Sequence, residues 1–352
     1  MIHKDTLTKE WIKQVSKTNS NADEILIEKM IRALTLLELL VLNKLNFIFK
    51  GGTALVLMLP ELKRLSIDID IIISDKPGNI ESIFDNIIAN SNFTRFFKKE
   101  RKLKSGIVKE HYQFYYTPIT KTAAKEEYIL LDILYEANHY GKNLQAKEIT
   151  NPLLQTVEPP IKVTIPTIEA ILGDKLTAFA PNTTGVKYLL GKEIEIIKQL
   201  YDIANLFDHS NDVSIVYETF NTIAKTELQY RELKHLSLND ILDDIYQTSL
   251  HITLRGHDGE GNFQELQTGI TNIVRYIISE NFHLEKAITL SSKSAYLSAL
   301  LKSNTNEIKR FKTATDIAEM KIEAPFNSKL NKLKKSNPEA FFYWYHTTLL
   351  ML

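Results

Sequence analysis

The stretch from residue 47 to 74, FIFKGGTALVLMLPELKRLSIDIDIIIS, constrains the fold more than any other part of the chain. A short apolar run leads into the glycine pair Gly51-Gly52, and the apolar residues that follow have the length of a short helix that ends at Pro60. Polar and apolar residues then alternate over residues 66–70, with the period of two that is typical of a half-buried strand. The pattern predicts a strand–turn–helix–strand unit.

Two aspartates should share one face of the second strand in this unit. Because side chains at i and i+2 of a strand point the same way, Asp68 and Asp70 should lie beside Ser66, with Ile67 and Ile69 in the core. Neighbouring carboxylates repel each other unless a cation lies between them. Oxygen ligands of this kind suit Mg²⁺ better than zinc. The aspartate pair therefore predicts a divalent-cation site.

The glycine pair predicts an anion site next to the cation site. Glycine permits close approach of the backbone, and a helix N-terminus offers unpaired N–H groups to a phosphate. The alternative is a metal-free surface strand beside an ordinary glycine turn. Aspartate is disfavoured in strands, so two aspartates within one hydrophobic strand argue for a functional cause.

Composition excludes several classes of function. The chain has 352 residues, enough for two domains or for one core with a helical extension. It has no cysteine, which excludes a disulfide framework, thiol catalysis and cysteine–zinc sites. The 43 basic and 43 acidic residues give a formal net charge of zero, so binding of a polyanion requires local patches. Without a signal-like or membrane-spanning run, we expect a cytoplasmic protein with no membrane partner.

Apolar spacing elsewhere predicts further helices and strands. Predicted helices cover residues 7–19, 24–45, 80–89, 167–179, 192–207 and 262–280, and predicted strands cover residues 111–116 and 128–135. Prolines between residues 152 and 166 indicate extended chain or a linker.

A basic and aromatic segment over residues 92–104 is a candidate for RNA binding. Its cations include Arg95, Lys98, Lys99 and Arg101, and three phenylalanines lie among them. Such cations could neutralise phosphates of an RNA. The alternative is an ordinary solvated face, on which long basic side chains cover apolar surface.

Two groups of motifs resemble one family. The string KGGTAL, followed by RLSIDID, resembles the nucleotidyltransferase superfamily. Within it, the strings resemble the AbiEii/AbiGii-type toxin nucleotidyltransferases of bacterial abortive-infection and toxin–antitoxin systems, which include the tRNA-modifying MenT-like toxins. The later strings EAILGDKLTAF and KQLYDI resemble further motifs of that family. The resemblance implies an α+β fold, with a mixed sheet flanked by helices in residues 1–165 and a mainly helical domain in residues 166–352.

The resemblance also implies a function. It implies transfer of NMP from an NTP to RNA, with the tRNA 3′ end as the expected acceptor and pyrophosphate as the product. Modification of the tRNA would block translation and growth, and a cognate antitoxin would be encoded nearby. The alternatives are a non-catalytic nucleotide-binding protein on the same scaffold, or a nucleotidyltransferase that acts on a protein or a small molecule.

Site residues follow from the matched motifs. Mg²⁺, with Mn²⁺ as a substitute, would be held by Asp68 and Asp70, with Asp132 as a third carboxylate. The residues implied to bind the nucleotide are Lys50, Gly51, Gly52, Thr53, Arg64 and Ser66.

The later motifs imply that Lys175 reaches the triphosphate and that Asp202 completes the site. Lys198 and Gln199 depart from the residues that are commoner in the family. The alternative has Lys175 as a solvated helix residue and Asp202 as an i,i+4 partner of Lys198. For Asp132, the alternative is a strand residue bonded to the backbone.

Overall fold

The structure is a computed structural model that describes residues 1–100, 108–120 and 123–351. It divides into two compact units, one formed by Met1–Thr167 with Arg275–Asn281 and the other by Ile168–Val274 with Phe282–Leu352. In the described part of the chain, no helix combines the length and the apolar character needed to cross a membrane.

The first unit combines helices with a mixed sheet. Its helices are α1 (Lys9–Thr18), α2 (Glu24–Leu42), α3 (Gly51–Met58) and α4 (Ile80–Ala89). Its strands are β1 (Ile48–Lys50), β2 (Ile69–Ile73), β3 (Phe93–Lys99), β4 (Val108–Tyr116), β5 (Glu127–Tyr135), β6 (Leu144–Glu148) and β7 (Lys162–Pro166). The side chains of Asp23 and Asn79 cap the N-termini of α2 and α4 by accepting backbone N–H groups.

Within the described residues, the main sheet has the strand order β1-β2-β5-β4-β3. Strands β2 and β5 are parallel, and the other neighbours are antiparallel. Helix α4 packs on β3 and helix α2 on β5. On this covered face the Phe84 ring lies 5.5, 4.9 and 5.1 Å from the rings of Phe96, Tyr112 and Phe114. These edge-to-face contacts form an aromatic core on this face of the sheet.

The second unit is helical throughout its regular structure. Its helices are α5 (Ile168–Ala178), α6 (Glu193–His209), α7 (Val213–Tyr230), α8 (Leu238–Thr253), α9 (Phe263–Asn272), α10 (Leu284–Lys302), α11 (Asn327–Leu330), α12 (Leu333–Ser336) and α13 (Pro338–Met351). Helix α10 packs against α6, α8 and α13, and the buried Trp344 donates its indole N–H to Thr253 at 3.1 Å. The α+β class, with a largely helical second half, is confirmed.

A glycine explains how two helices of this unit approach each other. Gly173 lies within α5 although glycine weakens a helix. A Cβ at this position would lie 2.6 Å from the Val216 carbonyl oxygen and 2.8 Å from the Phe220 nitrogen on α7. The two helices can therefore pack at this distance only with glycine here.

Two sequence expectations differ from the structure. Strand β2 begins at Ile69 and not at Ser66, and Ile67 is only half-buried. The reason is that β1 ends at Lys50, where α3 begins, so the residues before Ile69 have no partner strand on that side. The helix expected over residues 262–280 ends at Asn272, and residues 275–281 belong to the first unit.

Candidate active site

The glycine pair lies directly against the side chains that the sequence singled out. Gly51 has a φ of +78°, and a Cβ there would lie 2.2 Å from Oδ2 of Asp70. A Cβ on Gly52 would lie 2.5 Å from Nη2 of Arg64 and 2.9 Å from Oγ of Ser66. Gly51 is required both by the close Asp70 side chain and by its left-handed backbone. A Cβ at Gly52 would require the ends of the Arg64 and Ser66 side chains to move. The helix N-terminus and the aspartate strand are therefore in close contact.

Thr53 ties the first turn of α3 to the aspartate segment. Its side chain is fully buried, and Oγ1 lies 2.5 Å from the Asp68 carbonyl oxygen and 2.9 Å from Oγ of Ser66. A carbonyl oxygen can only accept, so Thr53 donates to Asp68 and accepts from Ser66. Because the hydroxyl is used inside the protein, a phosphate-binding role of Thr53 would fall to its backbone N–H.

The strand register brings the carboxylates of two strands together. Asp70 pairs with Asp132 in the parallel β2–β5 ladder and with Lys50 in the antiparallel β1–β2 ladder. Residues directly paired in a sheet point to the same face. We call the face that carries these three residues the site face. Asp68 precedes β2 and is exposed, whereas Asp70 is half-buried.

Asp132 has partners that the sequence did not predict. Its Oδ1 lies 2.6 Å from Nδ1 of His111, and its Oδ2 lies 3.2 Å from Nζ of Lys109. His111 is the antiparallel partner of Asp132 on β4 and is only 5% exposed. A lone histidine in an aromatic strand carries no signal in one sequence, because only the register shows what lies opposite. Within the described residues, the contacts of this carboxylate are with these two side chains.

Carboxylate oxygens are a donor set suited to Mg²⁺. Asp70 supplies such oxygens beside Gly51, and the exposed Asp68, two residues earlier, is the second candidate. Among residues 1–100, 108–120 and 123–351, no group of three or more His, Asp or Glu side chains is arranged to hold a metal ion. The pair of aspartates therefore fits the cation chemistry, and the part of Asp132 as a third ligand remains a prediction.

Arg64 is held in place by a distant part of the chain. It is 7% exposed, and its Nη1 donates to the Leu65 carbonyl oxygen at 3.1 Å. The segment around it pairs with residues 276–278: the Leu65 N–H donates to Tyr276 at 2.7 Å, and the Ile278 N–H donates to Lys63 at 3.3 Å. This pairing fixes the guanidinium beside Gly52.

Lys175 and Asp202 form a buried ion pair within the second unit. Nζ of Lys175 lies 2.9 Å from Oδ2 of Asp202 and donates to Oε1 of Gln199 at 3.1 Å. Lys175 is 8% exposed and Asp202 2% exposed, so the alternative of a solvated Lys175 is wrong. Lys198 forms an ion pair with Glu195 at 2.8 Å.

Among the described residues, the cations of the basic segment are divided between the two faces of the sheet. Residues 95, 97 and 99 of β3 pair with residues of β4 on the site face, whereas Lys98 points to the covered face. There Nζ of Lys98 lies 2.7 Å from Oε1 of Glu110. Arg95 lies 2.9 Å from Oε2 of Glu126. Arg101 lies outside the described residues.

A mixed sheet whose first strand enters a helix through a glycine pair, beside a second strand that is preceded by one aspartate and contains another, defines a nucleotidyltransferase. The sequence model of the family described as nucleotidyl transferase AbiEii toxin, type IV toxin–antitoxin system, matches residues 35–265. The chain belongs to this family of nucleotidyltransferase toxins, which confirms the resemblance seen in the motifs.

Solved structures also match this chain, at low sequence identity. JHP933 from Helicobacter pylori is 18% identical, with 79% of this chain and 93% of that chain covered and a TM-score of 0.44. MenT4, a nucleotidyltransferase toxin from Mycobacterium tuberculosis, is 11% identical, with 83% and 89% covered and a TM-score of 0.44. No curated protein matches the sequence.

Proposed function

We propose that this toxin transfers NMP from an NTP to RNA in a Mg²⁺-dependent reaction, with the tRNA 3′ end as the expected acceptor. One observation carries the proposal: the N-terminus of α3 lies against the Asp70 side chain with no room for a Cβ between them. An anion site and a carboxylate site in contact are what a metal–triphosphate complex needs. Mn²⁺ could replace Mg²⁺ because it also prefers oxygen ligands.

The chain's own residues would bind and orient the nucleotide. The backbone N–H groups that begin α3 would donate to phosphate oxygens bound at the glycine pair. Arg64 beside Gly52 would neutralise phosphate charge, and Lys50, whose Nζ lies 5.8 Å from the Tyr140 ring, is a second candidate for this task. A bound Mg²⁺, held by Asp68 and Asp70, would polarise the phosphate and lower the pKa of the attacking hydroxyl.

The family motifs supply the remaining predicted roles. Lys175 and Asp202 stay predicted catalytic residues, on the strength of the family resemblance and of their buried ion pair. As a type IV toxin, the protein has NTP and an antitoxin as implied partners. Modification of tRNA would explain how such a toxin blocks translation.

Incubation with each labelled NTP, total RNA and Mg²⁺ tests the proposal. We expect label in small RNA, and a loss of at least about 100-fold in the Asp68→Asn and Asp70→Asn variants, because each removes a charged ligand. Asp75→Asn, on the exposed turn after β2, is the matched control and should label like the wild type. Binding of Mn²⁺ should weaken in the same two variants. Label that appears only in protein or in a small molecule would contradict the RNA acceptor, and normal turnover in either variant would contradict the metal site.

A further inference from the structure

The site face continues from the carboxylates across β5, β4 and β3 as a regular grid of side chains. In the row next to the aspartates, Lys99, His111 and Asp132 pair across the three strands. Two residues further along, the paired row is Phe97, Gln113 and Leu130, and two further still it is Arg95, Tyr115 and Tyr128. Since the period of a strand is two, all three rows point to the same face as Asp70.

The outer rows present aromatic rings and a guanidinium side by side. The guanidinium of Arg95 lies 3.5 Å from the centre of the Tyr115 ring, and the Tyr115 ring lies 5.6 Å from the Tyr128 ring. Phe97 is 53% exposed and Tyr128 is 40% exposed, although both are large and apolar. We call Arg95, Phe97, Tyr115 and Tyr128 the stacking platform.

Exposed rings on a sheet face, with cations among them, match the chemistry of single-stranded RNA. Unpaired bases stack on aromatic side chains and on arginine planes, and every base has a face that can stack. A duplex end offers no such bases, because its bases are already stacked and paired. Lys99 on the same face adds positive charge for the RNA backbone.

We infer that the stacking platform binds unpaired bases of the acceptor RNA and leads its 3′ end along the site face to the aspartates. This inference names how the acceptor is recognised and depends on the proposed function. Tyr128 precedes Asp132 by four residues of β5, which is about 14 Å along the strand. At about 3.4 Å per stacked nucleotide, this distance is about four nucleotides. The enzyme therefore needs an acceptor with an unpaired 3′ end of at least this length.

Binding of fluorescent hairpin RNAs with 3′ overhangs of one or six nucleotides tests the inference without the reaction. We expect the wild type to bind the long overhang more tightly. Tyr128→Leu should weaken binding of the long overhang by about 5- to 150-fold, the usual range for loss of one stacked base. The same variant should leave binding of the short overhang unchanged. Tyr128→Phe keeps the ring and should stay within about twofold of the wild type.

Tyr217→Leu is the matched control, because Tyr217 is 38% exposed but lies on α7 of the second unit. Lys98→Ala is a second control, since Lys98 is on β3 but on the covered face. Equal affinity of the wild type and Tyr128→Leu for the long overhang would overturn the platform, as would tighter binding of the short overhang. If the platform variants instead lost only inhibition by the antitoxin, the platform would be a protein-binding surface and the inference would be wrong.

The two proposals fail in different ways. If labelled NTP enters RNA in the wild type and Tyr128→Leu shows the same acceptor KM, the platform is wrong and the proposed function stands. If the platform binds the long overhang as expected but no NTP is transferred to any RNA, the proposed function is wrong.

Discussion

At the scale of single residues, the candidate site depends on close contacts that exclude ordinary side chains. Asp70 lies so near Gly51 that no Cβ fits between them, and the ends of the Arg64 and Ser66 side chains lie close to Gly52. The buried hydroxyl of Thr53 holds the Asp68 backbone. These contacts explain why glycine and threonine stand in this order at the start of α3.

Gly51→Ala tests this arrangement. The left-handed backbone should cost about 1–2 kcal/mol of the free energy of unfolding in the variant. The new methyl group must also displace the Asp70 carboxylate, so nucleotidyl transfer should fall by more than the loss of stability explains. Denaturant unfolding and labelled-NTP transfer measure the two effects.

Gly78→Ala is the matched control, because a Cβ there meets nothing within 4 Å. It should leave both quantities near the wild-type values. Normal transfer by a folded Gly51→Ala variant would show that the contact with Asp70 is not needed for activity.

At the scale of elements, strand β4 serves the two faces of the sheet through alternate residues. His111 contacts Asp132 on the site face, and its neighbour Glu110 points to the covered face. Glu110 accepts hydrogen bonds from Lys76, Lys98, Tyr112 and Tyr135. Burial alone would raise the pKa of Glu110, but these donors outweigh it and lower the pKa from 4.5 to about 2. Lys98 therefore stabilises the sheet.

This lowered pKa predicts a dependence of stability on pH. The folded state binds a proton at Glu110 more weakly than the unfolded state, so the stabilisation is complete above pH 4.5 and is lost as pH falls toward about 2. Glu110→Gln should be less stable than the wild type at neutral pH, and its free energy of unfolding should fall less over this acid range. Lys98→Met removes one donor and should be intermediate. Urea unfolding at several pH values measures the free energy of unfolding of both proteins. If this free energy changes with pH equally in the wild type and in Glu110→Gln, the Glu110 carboxylate is not preferentially ionised in the folded state.

At the scale of the whole molecule, a late segment of the chain completes the first unit. Residues 275–281 return to it after more than a hundred residues of the second unit, and they pair with residues 63–65 beside the glycine pair. The position of Arg64 is therefore linked to a segment more than 200 residues away in sequence.

Ile277→Asp tests this link. Ile277 is 7% exposed, and burial of an unpaired charge there should lower the free energy of unfolding by about 2 kcal/mol or more. Hydrogen exchange of a peptide that covers residues 63–65 should become faster, because the Leu65 N–H loses its acceptor. Nucleotidyl transfer by Ile277→Asp should also fall. Val274→Asp, at a position that is 41% exposed, is the control and should stay within about 0.5 kcal/mol of the wild type. If hydrogen exchange of this peptide is unchanged in Ile277→Asp, residues 275–281 do not hold the segment that contains Arg64.

Local patterns were enough to predict much of this protein. The glycine pair, the short apolar helix and the two aspartates are neighbours in sequence, so their resemblance to the motifs of one family was visible and predicted that family and its α+β class, both now confirmed. Helix α5 likewise follows from an apolar period within one segment.

The rest required the tertiary structure, because strand register and chain return are not local properties. Only the pairing of β4 with β5 places His111 against Asp132, and only the pairing of β3 with β4 shows that Arg95, and not Lys98, shares the face of Asp132. A shift of one residue in either ladder would move every side chain of the shifted strand to the opposite face. The register cannot be predicted from a single sequence. The contact of residues 276–278 with Arg64 was hidden for the same reason, since its free energy comes from segments that meet only when the chain has folded.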